Sequence, residues 1–357
     1  MKQDILNISQ KLISVNSTKE NVEGLSDVLG AIEKLKIDTK FKKFSKNKIP
    51  SLLYYNTPTV PKEFKVILNA HLDVVPAKPE QFKPKVVGDK LFGRGAIDMK
   101  AAAAVEMLVY KEVAAKVRYP LGLQLVTDEE IGGFDGTKYQ IQKGVRADFV
   151  IAGEQTDLNV SNKAKGIVWA KISCRGKSAH GAHPWDGENA IVKMTNFINE
   201  KLFKTFPIPN REAWVTTANV ARMETTNTTF NKVPDNCTIF VDFRYIPEEK
   251  SEIITKIKSI LPTGFTFEPK IFEPSQFTDP GNEYFKLLRK SVTRLTGKKV
   301  KLLSDHGASD IRHYNTVNSP GVCFGPTGAG LHTDNEWVSI KSLEQYYEIL
   351  KNFLLSI

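Results

Sequence analysis

The chain alternates short apolar runs with amphipathic stretches, and their spacing predicts its elements. FKVILNA (64–70), LGLQLV (121–126), ADFVIAG (147–153) and GVCFG (321–325) are nearly continuous in apolar residues and bounded by glycine or polar positions. Strands buried on both faces of a parallel sheet read this way, whereas half-exposed strands alternate. Helical periodicity covers residues 2–14 and 21–36, and MKAAAAVEMLVYKEVAAK (99–116) is a third, alanine-rich helix. Strands alternating with helices up to residue 163 predict an α/β layer. The pattern changes at NKAKGIVWAKISCRG (162–176). From there it predicts a strand, a helix over 187–203, strands over 214–222 and 236–245, a helix over 248–260 and a strand over 265–272. That order is an α+β layer of ferredoxin-like type. After Pro274 the α/β pattern resumes, with helices over 280–296 and 340–356. The expected division is therefore 1–163 and 274–357 as two parts of one domain, with 164–273 inserted between them.

Seven side chains of metal-binding type follow short apolar runs. They are His71 and Asp73 in HLDVVP, Asp98 in GRGAIDMK, Glu129 and Glu130 in TDEE, Glu154 in IAGE, and His332 in GLHTDNE. In an open α/β sheet, functional groups gather outside the carboxyl ends of the strands, so residues far apart in sequence converge. Each motif alone has an ordinary reading: His-x-Asp is usually a hydrogen-bonded turn, and adjacent glutamates a solvated pair. That reading gives no reason for acids to follow apolar strands repeatedly. Burying acids without partners costs several kcal/mol, and a cation is the simplest partner. Two imidazoles and several carboxylates, with no thiolate, suit zinc or a similar divalent ion in a catalytic site. Five ligands are too many for one open tetrahedral ion, but they suit two ions sharing a carboxylate and a water. Asp98 is the natural bridge. It lies between the other ligands in sequence and opens a helix whose positive end favours an anion.

The joint pattern of HLDVVP, GRGAIDMK, TDEE, GE and GLHTDNE, in this order over nearly the whole chain, resembles the co-catalytic zinc amidohydrolases. That family includes acetylornithine deacetylase, succinyl-diaminopimelate desuccinylase, aminoacylase, carboxypeptidase G and di- and tripeptidases. The resemblance implies an α/β fold: a mostly parallel sheet flanked by helices, zinc exopeptidase-like, with an inserted ferredoxin-like lid and dimerisation domain. It further implies that Asp98 bridges two ions, that His71 and Glu154 complete one, and that Glu130 and His332 complete the other. Glu129 would be the general base, and Asp73 would orient His71 and raise its basicity. His180, in GKSAHGAHPWDGENAI, matches a family histidine that stabilises the oxyanion in the partner subunit's site. Asn231 and Arg244, in NKVPDNCTIFVDFRY, match residues at the lid edge of the substrate pocket. An Arg fork suits a substrate carboxylate, although a pair with Asp242 accounts for Arg244 equally well on sequence alone. The peptide bond after the bridging aspartate, here Asp98–Met99, is cis in the family. His306 and His313 compete with His332 as the late ligand; His332 is preferred because its Gly-rich loop precedes Asn-Glu, as in the family. Three departures lie on the substrate side: Ala308 before Ser309 and Asp310, Lys165 where an Arg is often found, and no Arg in IFEPSQF (271–277).

Length and composition fit this picture. A chain of 357 residues suits two domains, and 41% hydrophobic content supports a core. The amino-terminal MKQDILNISQKLIS reads as an amphipathic helix without a signal-peptide core. No apolar run reaches the ~20 residues of a membrane span. Cys174, Cys237 and Cys323 are odd in number and widely spaced, which fits a reduced cytoplasm and argues against a disulfide framework or a thiolate zinc site. The net charge of +10 raises a nucleic-acid reading. Its densest stretch, KFKKFSKNK (40–48), alternates as an edge strand or hairpin would, and lysines there protect a sheet edge. No nucleic-acid motif accompanies it. The expectation is a cytoplasmic homodimer, joined through the lid, that binds neither nucleic acid nor membrane. It would carry two divalent ions, zinc first with cobalt or manganese as alternatives. Its reaction would be hydrolysis of an N-acyl amino acid by activated water with Glu129 as base. The alternatives are a carboxypeptidase or a di- or tripeptidase, on substrates with a free carboxylate. An intact Glu129 weighs against a non-catalytic metal-containing binding protein.

Overall fold

In the computed structural model of the protein, residues 1–35 and 37–357 are described; residue 36, the expected end of the second helix, lies outside them. The chain forms two compact units. One comprises Met1–Lys163, Phe277–Ser304 and Ser309–Ile357; the other comprises Ala164–Gln276 with Asp305–Ala308.

The first unit is built on a mixed sheet. Across it, Leu121–Val126, Phe64–His71, Ala147–Ala152 and Gly321–Cys323 lie side by side and parallel. These are the four continuous apolar runs. All six residues of Leu121–Val126 are buried, as strands covered on both faces must be. The flanks are antiparallel. Lys40–Lys46 and Ile49–Tyr55 form an edge hairpin that turns through Asn47 and Lys48 at φ +50° and +67°. A two-residue turn with both φ positive matches the right-handed twist of the strands it joins. The lysine-rich stretch is thus a charged edge strand, which discourages pairing with another chain.

One face of this sheet is covered by the helices Lys2–Ile13, Lys100–Val113, Glu283–Thr296 and Ile340–Leu355 around a single large core. Alanines 101–104, all buried, let Lys100–Val113 pack closely while favouring the helix. A smaller core containing Ile67, Val150, Ile311 and Tyr314 lies on the other face. A second, four-stranded antiparallel sheet is made of very short pieces: Lys85–Val87, Lys90–Phe92, Trp337–Ser339 and Gly328–Ala329. Its pairing of Phe92 with Trp337 places the loop before Asp98 beside the loop that carries His332.

The second unit has four antiparallel strands in the order Thr217–Glu224, Asn236–Tyr245, Gly166–Arg175, Phe265–Glu273. Residues alternate buried and exposed along Asn236–Tyr245, so one face is covered, by Ala190–Phe197 and Ile253–Ser259. The helix expected over 187–203 starts at Ala190, capped by the Asn189 side chain, and passes into a π-helical turn at Ile198–Leu202. Cys174, Cys237 and Cys323 are all buried and free. No helix among the described residues is long and apolar enough to cross a membrane.

Glu106, on Lys100–Val113, is fully buried. Its Oε1 accepts a hydrogen bond from the Tyr346 hydroxyl at 2.8 Å, and its Oε2 has no partner among the described residues. Burial, aided by the charge of Glu154, holds its pKa well above the usual 4.5. The folded chain therefore keeps a proton that the unfolded chain releases, and stability falls as pH rises above 4.5 towards the folded value. We expect Glu106→Gln, which cannot ionise, to melt higher than wild type near about pH 8, with the gap closing near about pH 5. Calorimetry checks this; a variant destabilised equally at both pH values contradicts it.

Candidate metal centre

The carboxyl ends of the parallel strands deliver the site. His71 is the last residue of Phe64–His71, and Glu129, Glu130 and Glu154 follow Leu121–Val126 and Ala147–Ala152 within a few residues. Asp98 lies just before Lys100–Val113, and the Asp98–Met99 peptide bond is cis. The Asp98 carboxylate stands between the two histidines. Its Oδ1 is 2.9 Å from His71 Nε2, and its Oδ2 is 3.1 Å from His332 Nε2. Glu154 Oε1 is 3.8 Å from His71 Nε2, and Glu130 Oε2 is 3.3 Å from His332 Nε2. Two groups of potential ligands result, His71–Asp98–Glu154 and Asp98–Glu130–His332, and the ligand atoms in each lie within 4.8 Å of one another. Asp98 belongs to both. Glu129 belongs to neither.

Asp73 acts on its surroundings in two ways. Its carboxylate accepts hydrogen bonds from the backbone N–H groups of Glu129 (3.2 Å) and Glu130 (2.9 Å), so it fixes the turn that carries both acids. His71 Nδ1 lies 3.0 Å from the Asp73 carbonyl oxygen and 3.5 Å from its carboxylate. The turn Glu129–Ile131 ends on Gly132 at φ +112°, a conformation that disfavours any side chain. Behind it, the Gly132 carbonyl accepts from the Arg312 guanidinium at 2.6 Å and lies 2.9 Å from His313 Nε2. His313 is buried, and burial beside Arg312 pushes its pKa down to about 3. It is a neutral structural imidazole. His306 lies in the other unit, 3.4 Å from Glu212.

Sequence patterns did not reveal the group that anchors the Asp98 loop. Glu336 Oε1 accepts from the backbone N–H groups of Ile97 (3.0 Å) and Asp98 (3.2 Å). Its Oε2 is 2.6 Å from Arg94 Nη1, and both side chains are almost completely buried. Arg94 also donates to the Thr333 carbonyl at 3.2 Å, one residue past His332. The pair thus ties together the loops carrying Asp98 and His332. The available signal was an arginine within GRGAIDMK and a glutamate ending GLHTDNE. Lys100 was also missed. Its ammonium donates to the Val15 carbonyl at 2.8 Å, and burial lowers its pKa to about 7.

The electrostatics suit bound cations. Burial raises the pKa of Glu129 well above its usual value, that of Glu130 to about 7 and that of Glu154 to about 8. Burial acts on Asp98 in the same direction, but hydrogen bonds from His332 and His71 outweigh it and hold Asp98 well below the carboxylate range. Carboxylates crowded in this way become stable anions when a divalent cation replaces the water they have lost. Each group offers one imidazole nitrogen and two carboxylates, a donor set that fits zinc-like ions.

His180, Asn231 and Arg244 all lie in the second unit. His180 and Asn231 are neighbours there: Gly181 N–H donates to the Asn231 carbonyl at 2.7 Å, and His180 bridges to Lys232. His180 Nδ1 accepts from Ala182 N–H at 3.1 Å. Arg244 is engaged with Asp242 through Nε and Nη2, at 3.0–3.1 Å.

Residues 67–356 match the model of peptidase family M20/M25/M40. The chain belongs to that family. As a member it is a metallohydrolase. Among curated relatives it is similar to a succinyl-diaminopimelate desuccinylase from Wolbachia pipientis, 25% identical over 376 aligned positions that cover 99% of this chain and 93% of the relative. Among solved structures, an aminopeptidase PepT from Bacillus cereus superposes with a TM-score of 0.80 at 20% identity, covering 99% of this chain and 98% of its own. A dinuclear metal-binding peptidase of the M20 family from Bacillus subtilis superposes with a TM-score of 0.71 at 14% identity, covering 99% and 98%. The mixed sheet and the separate antiparallel unit are the M20 architecture expected from the sequence.

Removing the Glu336 charge tests its anchoring role. Glu336→Gln leaves Arg94 buried without its anion, and breaking such a pair costs ~3–5 kcal/mol. We expect a clearly lower Tm and ~10–100-fold weaker metal affinity, the usual effect of losing a group that holds a ligand in place. Thermal melts and a metal titration read both. A variant unchanged in both removes Glu336 from this role.

Proposed function

We propose that this M20 hydrolase cleaves the amide bond of an N-acyl amino acid, in the manner of a deacetylase or desuccinylase. The observation that carries the reading is Asp98, whose two oxygens face His71 and His332 separately. That arrangement supports a bridging role between two divalent ions. Zinc is our choice, with cobalt or manganese as alternatives. When bound, such ions supply Lewis acidity and lower the pKa of water to near neutrality. His71, Asp98 and Glu154 would hold one, and Asp98, Glu130 and His332 the other. Glu129 stays outside both groups, and burial gives it a raised pKa, as befits a base working near neutral pH. It takes a proton from the attacking water and passes it to the leaving nitrogen. Asp73 positions Glu129 through the backbone. The match to relatives named desuccinylases supports the acyl-amino-acid substrate.

In the same reading His180 donates to the oxyanion from the partner subunit of a homodimer joined through the inserted unit, and Asn231 and Arg244 border the substrate pocket. His180 is exposed, and its Nδ1 accepts from Ala182 N–H, which supports its availability. Three free cysteines support a cytoplasmic location.

A hydrolysis screen over acetyl, succinyl and dipeptide substrates with zinc, cobalt or manganese tests the reaction class and ranks the substrates; inactivity on all of them contradicts it. Glu129→Gln should keep its metal but lose ~10²–10⁴-fold in turnover. Glu130→Gln should lose metal instead. Equal metal content in the two variants undoes the assignment. For the dimer, mixing His180→Ala with Glu129→Gln chains should restore part of the activity, since one site then has both groups. A mixture that exchanges subunits yet stays inactive rules out the trans role.

A further inference from the structure

Residues 286–301 carry seven lysines and arginines and no aspartate or glutamate. They supply most of the net charge of +10, which is therefore concentrated rather than spread along the chain. Five of these cations, Lys286, Arg289, Lys290, Arg294 and Lys299, line one open pocket of about 410 Å³ in the first unit. None of the five has a carboxylate partner among the described residues. The Nε of Arg289 is buried and has no acceptor among them either. A buried donor left without an acceptor is costly unless a ligand supplies one.

The chain holds these cations together against local preference. Lys286, Arg289 and Lys290 stand three or four positions apart on Glu283–Thr296, so their like charges repel on one face of the helix. Lys286 also closes the first turn, at the end where the helix dipole disfavours a cation. The helix ends on Gly297 at φ +69°, and the chain turns back so that Lys299 and Val300 line the same pocket. The returning segment is pinned. Asn159 Oδ1 accepts from Lys301 N–H at 3.0 Å, and Val160 N–H donates to the Lys301 carbonyl at 3.2 Å. Val300 is buried beside them. Lysines that merely keep a surface soluble have no reason to converge on a pinned concavity.

We propose that this pocket is a binding site for a compact anion carrying two or more phosphates, free or as the phosphate tail of a nucleotide. Its volume is that of a small-molecule site. Five cations call for several negative charges in a short span, which a chain of phosphates concentrates better than any single carboxylate. Arginine forks bind phosphate oxygens in pairs, lysines add point charges, and the Thr293 hydroxyl at the same wall is a further donor. No aromatic ring lines the pocket to stack a base, so the phosphates themselves are what it reads. A compact concavity favours such a ligand over an extended strand of nucleic acid. The site is separate from the metal ligands, and the inference does not depend on the hydrolase reading.

The test is equilibrium dialysis of the full-length, metal-loaded chain with labelled inorganic triphosphate, pyrophosphate and orthophosphate. Affinity should fall in that order. Lys290→Gln/Lys299→Gln and, separately, Arg289→Gln should each weaken triphosphate binding ~10–100-fold. The double variant should melt no lower than wild type, because it relieves like-charge repulsion, so its loss of binding cannot come from unfolding. His71→Ala controls for phosphate held by the metal centre. A triphosphate site lost in His71→Ala but kept in the double variant overturns the proposal. Equal binding of triphosphate and orthophosphate also overturns it, as does citrate that binds as tightly as triphosphate. A nucleoside triphosphate distinguishes the two sources: affinity equal to that of inorganic triphosphate means the phosphate chain alone is read, and tighter binding names the nucleotide. Either upholds the pocket. A duplex RNA, or a vesicle of anionic lipid, that displaces triphosphate at equal phosphate concentration through the same lysines overturns the small-anion assignment.

Discussion

The metal-binding unit depends on the electrostatics of crowding Asp98, Glu129, Glu130 and Glu154 together beside two imidazoles. Burial, with repulsion from neighbouring carboxylates, drives the three glutamates towards their neutral forms. Asp98 remains an anion because each of its oxygens has a histidine beside it. The surrounding structure holds this arrangement in place. The parallel strands bring His71, the Glu129–Glu130 turn and Glu154 to one end, and Asp73 clamps that turn by its N–H groups. The buried Arg94–Glu336 pair anchors the Asp98 loop and ties it to the His332 loop.

What the sequence revealed and what it concealed have physical causes. The four parallel strands were legible because burial on both faces removes polar positions, leaving unbroken apolar runs. The candidate ligands were legible because acids and histidines that recur after such runs, in several places along one chain, have no ordinary joint explanation. The short sheet of Lys85–Val87, Lys90–Phe92, Trp337–Ser339 and Gly328–Ala329 was not, since pieces of two or three residues show no period. Yet that sheet brings the Asp98 and His332 loops together. Glu336 escaped notice for a similar reason: its partners are backbone N–H groups more than two hundred positions away, which leave no trace in composition.

On the substrate side, the sequence left residue roles open. Arg244 offered the sequence two readings, a carboxylate receptor or a partner of Asp242, and in the fold its Nε and Nη2 engage Asp242. Lys165 stood out in the sequence only as a departure from the family. Its near-complete burial is a property that belongs to the folded chain alone. The second unit's sheet end gathers segments near residues 165, 214, 245 and 305, which no local pattern connects.

The central claim is that one carboxylate serves two ions. The direct measurement is metal stoichiometry by elemental analysis, combined with calorimetric titration, on wild type, Asp98→Asn and His71→Ala. The account predicts two ions per chain in wild type, loss of tight binding at both sites in Asp98→Asn, and retention of one ion, held by Asp98, Glu130 and His332, in His71→Ala. A wild type that binds a single ion, or an Asp98→Asn variant that keeps two, would contradict it.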